Sequence, residues 1–258
     1  MNSSIDLMFW QVLAAYIFIV ILLIIVRVKK IPREKEIVIA TIRMTLQLIL
    51  VGYILVYIFD YPNPFITIVL FAIMLFFSIH NVYQRAKLEL TFSLKKTIAL
   101  SMFSGISVSL IFFIFLVLTL SPWYDPRFFI PIAGMIIGNS MTGITLGVNN
   151  LLNSMQTQKA QIEAALILGA PPKIAVKKLL NQAFDAAMLP TINSMVGMGI
   201  IFLPGMMTGQ ILSGMSPLVA VNYQIAIMLG IVGSTSLSVI IFLHLGYKNF
   251  FNTRSQLL

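Results

Sequence analysis

The sequence predicts an all-α, polytopic transmembrane helical bundle of about seven spans, with the N-terminus outside and the C-terminus inside. Three observations predict it. First, hydrophobic residues fill 59% of 258 positions and charged residues only 10%. Soluble domains carry roughly 25% charged residues, so this chain cannot cover a water-facing sphere, and a soluble enzyme, a free binding domain and a disordered chain are all excluded. Second, the apolar residues form long unbroken runs, not the short alternating segments of a transmembrane barrel. Third, the basic residues gather on one side of those runs.

The runs are Met8–Val26, Ile37–Phe59, Phe65–Tyr83, Thr97–Leu120, Phe128–Leu152, Ala186–Leu203 and Val221–Leu245. Each approaches or exceeds the length a hydrocarbon core demands. No positive charge precedes the first run in Met1–Leu7, so it is read as a retained span and not as a cleaved leader. If the chain weaves, fifteen of the 17 Lys and Arg fall on one side. They are Arg27, Lys29, Lys30, Arg33 and Lys35; Arg85, Lys87, Lys95 and Lys96; Lys159, Lys173, Lys177 and Lys178; Lys248 and Arg254. The other side holds Arg127 with Asp6, Asp60 and Asp125. That asymmetry sets the orientation. It also reads the net charge of +9 as lysine on the cytoplasmic face, not as a nucleic-acid surface. The partner it implies is the lipid bilayer of the cell inner (plasma) membrane. The outer loops Asp60–Pro64 and Ser121–Pro126 carry turn residues, and Trp123 and Tyr124 suit the headgroup level. The whole of 1–258 reads as one transmembrane domain.

Between spans 5 and 6 the loop 153–187 is not merely a loop. Gln156–Leu168 is rich in helix formers, Gly169 suits a helix C-terminus, and Pro171-Pro172 ends one helix and opens the next, Lys173–Ala187. This predicts a helix pair on the cytoplasmic face. Two readings stay open: a pair lying on the membrane with its lysines toward lipid phosphates, or an element docking a soluble partner, its small residues Ala164, Ala165, Gly169 and Ala170 sinking into a groove.

Glu163-Ala164-Ala165-Leu166-Ile167-Leu168-Gly169-Ala170-Pro171 resembles the EAA-x-x-x-G signature of ABC-transporter permeases. The Ile-x-Leu-Pro that follows in that family has no match at its usual distance. Leu179-Leu180-Asn181-Gln182 stands there, and Leu189-Pro190 comes later. Further stretches, Gly138-Asn139-Ser140-Met141, Leu146–Asn150 and Leu203–Leu212 continuing to Tyr223-Gln224-Ile225, resemble the FetB-type permeases, bacterial iron exporters related to plant aluminium-tolerance permeases. The resemblance implies a permease subunit without catalytic residues, exporting iron or another metal ion. Glu163, Ala164, Ala165, Gly169 and Ala170 would contact a cytoplasmic ABC ATPase, and a second copy of the chain would complete the transporter. A P-loop needs Gly-Lys to hold phosphates, and no such dipeptide occurs here. No cofactor is therefore expected on this chain, and ATP with Mg is expected on the partner subunit.

Candidate pathway residues are Arg43 and Gln47, one turn apart in span 2; Asn139 in span 5; Asn193 in span 6; and Pro204, Gly205, Met206, Met207, Gly209 and Gln210 after it. Arg43 reads equally as a side chain snorkelling to headgroups, and the span-5 asparagines and glycines as helix packing. Pro204-Gly205 interrupts the last apolar run, which reads as a kink or short re-entrant segment whose carbonyls, with Gln210, face a passing ion. An ordinary outer loop is the alternative. No Asp or Glu lies deep in a span, Cys is absent and 15 Met are present. The metal ligands are therefore left unassigned, with methionine thioether as one soft option beside ordinary core filling. Two other functions fit less well. A stand-alone channel or secondary carrier normally shows an intramembrane charge relay. An intramembrane serine protease would need Ser140 and His244 within reach of each other.

Overall fold

The computed structural model describes residues 8–86 and 88–257, without the side chain of Phe9. Met1–Leu7 with Asp6, and the basic residue Lys87, lie outside the described residues. Helices make up most of the rest. In chain order come α1 (Phe9–Ala15), α2 (Ile17–Val28), α3 (Glu34–Asp60), α4 (Pro64–Arg85), α5 (Phe92–Phe112) with a π-helical extension Phe113–Val117, α6 (Pro126–Thr157), α7 (Lys159–Ile167), α8 (Pro172–Ala175), α9 (Lys177–Gly197), α10 (Gly205–Leu212) and α11 (Pro217–Gly246). Among the described residues six helical stretches are long and apolar enough to cross a membrane: Trp10–Val28, Glu34–Asp60, Pro64–Arg85, Phe92–Val117, Pro126–Thr157 and Pro217–Phe250.

The predicted turn residues set the helix starts. Asn63 Oδ1 accepts from Phe65 N at 2.8 Å, with Pro64 as the first residue of α4. Asp125 Oδ1 accepts from Arg127 N at 3.0 Å, with Pro126 opening α6. Each side chain satisfies a donor that the first turn leaves open, and proline gives up an N–H that would have had no partner.

Span 6 differs from expectation. The second amphipathic helix, expected over Lys173–Ala187, and the span expected over Ala186–Leu203 are one continuous helix from Lys177 to Gly197. Only the four-residue α8 stands apart from it. Hydropathy hid this because Lys177, Lys178, Asn181, Gln182, Asp185 and Asn193 dilute the apolar residues of α9. Its inner face is nevertheless apolar: Leu179, Ala183, Ala187 and Met188 are buried.

The chain divides into two compact units. One comprises the helices through Tyr61 together with Leu212–Gly214. In it α2 packs on α3, and Tyr16 Oη and Thr45 Oγ1 share a hydrogen bond. The other holds Pro62–Ile211 and the chain from Met215. There α11 packs along α5 and α6, α9 along α6 and α11, and α4 along α6. Small residues bring these helices close, as helix association in lipid requires. A Cβ on Gly105 would lie 2.7 Å from the Ser238 backbone, and one on Gly143 would lie 2.6 Å from Thr235 Cγ2. The core of this unit runs from Ile98, Met102 and Ile106 through Ile132, Ile136 and Ile144 to Ile227, Val239 and Phe242, all essentially inaccessible.

Candidate functional site

Two places in the second unit hold most of the residues that the sequence singled out. The first is the corner between α7 and α8. Helix α7 stops because Gly169 adopts φ +88°, a conformation that costs any L side chain. There Gly169 N donates to Leu166 O and Ala170 N to Ala165 O, each at 3.0 Å. This pair of bonds closes the last turn, and Pro171 then redirects the chain into α8. One side of the corner is anchored: Ile162 and Val176 are buried, and Leu166 packs on the core. The other side presents Ile167 and Leu168, 85% and 87% exposed, with Ile174 also exposed. Glu163 and Ala164 are exposed, while Ala165 and Ala170 are half-buried. Glu163 lies 3.8 Å from Lys159. Both are half exposed, and a pair at that distance in water adds almost nothing to stability.

The second place is the break after α9. The interruption expected at Pro204-Gly205 is real but begins earlier. α9 ends at Gly197, Gly199 turns the chain at φ +87°, and Gly199 N donates to Phe202 O at 2.9 Å. Gly197 has no side chain because the Phe202 ring lies on it, within 3.0 Å of where a Cβ would sit. Pro204 is the residue before α10, and its carbonyl accepts from Thr208 N and Thr208 Oγ1. Gly205, Met206, Met207, Gly209 and Gln210 are therefore helical. Gly209 is not required by its dihedrals, and a Cβ there would meet nothing within 4 Å. The stretch expected as a kink or short re-entrant segment is a short helix entered through this turn. Met207 is buried, Met206 packs on the core, and the Gln210 carbonyl accepts from Met215 N.

The remaining predicted residues do not converge on these places. Arg43 and Gln47 are exposed on α3, in the first unit. Asn139 donates to Met135 O of its own helix at 2.8 Å, and Asn193 is exposed on α9. The Ser140 hydroxyl is buried against Ser234 Oγ at 3.1 Å. His244 lies ten residues further along the same helix as Ser234, about 15 Å away, so no Ser/His dyad forms. His80 stacks on Phe76 and shares a hydrogen bond with Gln84. No group of three or more His, Cys, Asp or Glu that could hold a metal occurs among the described residues.

Sequence reasoning missed Gln224. It is 6% exposed, its Nε2 lies 3.7 Å from Met198 Sδ, and its Oε1 is buried without a partner. The apolar run of α11 holds two amides, Asn222 and Gln224, and only Gln224 is buried.

Residues 9–251 match the family described as Uncharacterised protein family (UPF0014). The chain belongs to that family. It is 35% identical over 243 residues to the Probable iron export permease protein FetB of Escherichia coli (strain K12), covering 94% of this chain and 92% of that one. It is 34% identical over 241 residues to the UPF0014 membrane protein YjkA of Bacillus subtilis (strain 168), covering 93% and 94%. It is 32% identical over 244 residues to Protein ALUMINUM SENSITIVE 3 of Arabidopsis thaliana, covering 95% and 88%. No solved structure matches. With six apolar helices in this family, the chain is a multi-pass membrane protein.

Proposed function

We propose that this UPF0014 chain is the membrane-spanning permease subunit of an ABC transporter of the plasma membrane, exporting iron or another metal ion. Two copies form the path, and a separate cytoplasmic ATPase hydrolyses ATP with Mg. The α7–α8 corner carries this reading. A docking knob presents a compact apolar tip on an anchored base, and Ile167 and Leu168 on Ile162 and Val176 have that form. The relative's name as a probable iron export permease supports the cargo. The buried polar side chains of the described chain are Thr, Ser and Gln, so a carrier coupled to a titrating relay has nothing here to favour it.

Replacing Leu168 by Asp tests the docking. The side chain meets solvent, so the thermal midpoint of the purified chain should stay unchanged. Recovery of the nucleotide-binding ATPase on the tagged permease should fall at least tenfold. Unchanged recovery would remove the corner from the interface.

A further inference from the structure

One face of α11 is left open by the packing of the second unit. Its other faces meet α5, α6 and α9. The open face is the floor of a groove of about 740 Å³, walled by Val108 and Phe112 of α5. Along it stand Asn222, Ala226, Leu229, Gly233, Ser236 and Ile240, at intervals of four, three, four, three and four residues. That is the spacing of a helix–helix seam, which turns one stripe toward a partner helix. From Asn222 to Ile240 the stripe runs about 27 Å, close to the thickness of a hydrocarbon core. Two glycines border the groove, and they differ. Gly230 is explained within the chain, because a Cβ there would lie 2.9 Å from the Phe113 ring. Gly233 is not. It is exposed in mid-helix, and a Cβ on it would meet nothing within 4 Å. Glycine inside a helix costs about 1 kcal/mol relative to alanine, and nothing in this chain offsets that cost at Gly233.

We infer that this groove is the contact surface for a second copy of the chain, with α11 of each protomer seated in the other's groove about a two-fold axis along the membrane normal. The inference rests on the two-copy reading above and deepens it by assigning the surface. Fluid acyl chains filling the groove would not require a missing Cβ, whereas a helix backbone approaching closely does. Two copies inserted with one topology meet in parallel, so each residue near the axis faces its own equivalent at the same depth. The stripe suits that pairing. Gly233 opposite Gly233 lets the backbones come together, and Leu229 and Ile240, 60% and 52% exposed, supply the bulky residues between the small ones. Asn222 carries both a donor and an acceptor, so two Asn222 amides satisfy each other across the axis. No residue of the stripe is charged. The exposed Arg43 on α3 makes that helix a poor alternative, because the same symmetry would bring two arginines together in a low-dielectric setting.

The test uses the purified full-length chain in liposomes, without the ATPase. The chain has no cysteine, so each single-cysteine variant reports one contact. Ala226→Cys and Gly233→Cys should be oxidised to disulfide-linked dimers by copper phenanthroline. Phe76→Cys, on the exposed face of α4, should cross-link at least tenfold more slowly. Gly233→Leu should raise the protein-to-lipid ratio at half-dimerisation at least tenfold, while the thermal midpoint of the diluted monomer stays unchanged or rises. Asn222→Leu should weaken dimerisation by a smaller factor, and Asn222→Gln, which keeps the amide, by less still. Dimerisation of Gly233→Leu equal to that of the wild type would leave the groove to lipid and overturn the surface. Cross-linking at Phe76→Cys as fast as at Gly233→Cys would overturn it too. ATPase recovery on the wild type is read separately. Seam cross-links as described with no ATPase recovered would sink the ABC reading and leave the surface standing; ATPase recovered with no seam cross-link would do the reverse.

Discussion

Two glycine contacts in the second unit differ in kind, and the difference predicts which substitution can be rescued. A Cβ on Gly105 of α5 would lie 2.2 Å from Ser238 Oγ and 2.7 Å from both Cα and N of Ser238. Ordinary carbon contacts begin near 3.5 Å, so α5 and α11 must part by roughly 0.8 Å along their crossing. Overpacking of this kind costs typically 1–3 kcal/mol. With the upper value, reduced by about 1 kcal/mol for the better helix propensity of alanine, Gly105→Ala loses about 2 kcal/mol. That lowers the thermal midpoint by about 4–8 °C on the scale for chains of this size. Adding Ser238→Ala removes only the hydroxyl and leaves the two backbone atoms, so it should not restore stability. A Cβ on Gly143 of α6 meets the Thr235 Cγ2 methyl at 2.6 Å, then Ala187 O at 3.2 Å. Here the offending atom is a side-chain methyl. Gly143→Ala should destabilise by a similar amount, and Thr235→Ser, which deletes that methyl, should recover most of it. Gly138→Ala, with nothing within 4 Å of the new Cβ, is the control and should be neutral or stabilising by up to about 1 kcal/mol. The assay is thermal unfolding of the purified chain in detergent, read as the fraction surviving size exclusion. Rescue of Gly105→Ala by Ser238→Ala, or no rescue of Gly143→Ala by Thr235→Ser, would refute the packing argument.

Other perturbations follow from single contacts. Asn249 donates to Thr97 Oγ1 at 3.1 Å and to Gly246 O at 3.3 Å, and accepts from Ser93 Oγ. Asn249→Ala should therefore loosen the segment after α11 from α5 and speed its limited proteolysis, at about 1–2 kcal/mol; an unchanged cleavage rate argues that the latch is idle. For orientation, cysteine is best placed at exposed Tyr61, because Asn63 caps α4 and would cost stability. In intact cells Tyr61→Cys should react with an impermeant thiol reagent and Gln161→Cys should not; the reverse pattern inverts the topology. Pro190 stands inside α9 and leaves Ala186 O without its helical donor. Pro190→Ala should restore that bond, leave the midpoint equal or higher, and slow ATP-driven efflux. Wild-type efflux would show that α9 acts without bending there.

The membrane class, the six apolar helices and the capping loops were legible because each rests on a local signal: run length, Asn63 before Pro64, Asp125 before Pro126. The glycine stop at Gly169 was legible for the same reason, since a left-handed residue followed by two prolines has few alternatives. α9 was not legible as one helix because hydropathy averages over all its faces. A helix buried on one side among protein neighbours keeps polar residues on the other, so Lys177–Asp185 read as surface and Ala186 onward as membrane. The start of the break was misplaced because proline is the stronger written breaker. Gly197 and Gly199, the residues that make the turn, look like ordinary small residues of an apolar helix. Gln224 was read only as part of a family-like stretch, because a buried oxygen without a partner shows only in the packed structure.

The continuity of α9 ties the two candidate sites together. Its first turn follows Val176, buried at the base of the exposed corner, and its last residue precedes Met198. A helix of 21 residues spans about 31 Å, and α9 is in contact with α6 and α11. A partner gripping Ile167 and Leu168 would thus pull on a rod whose far end carries the thioether beside Gln224. Close packing at Gly143 and Ala187 resists sideways movement of that rod, because a shift would open voids against α6. Sliding or bending at Pro190 meets less resistance, since one backbone bond is already missing there. On this geometry the corner does not need a relay of side chains to reach the break. Displacing one end of α9 moves Met198 relative to α11 and strains the 3.7 Å contact between Gln224 Nε2 and Met198 Sδ. This is why Pro190→Ala and Leu168→Asp should both lower efflux, yet only Leu168→Asp should lower ATPase recovery.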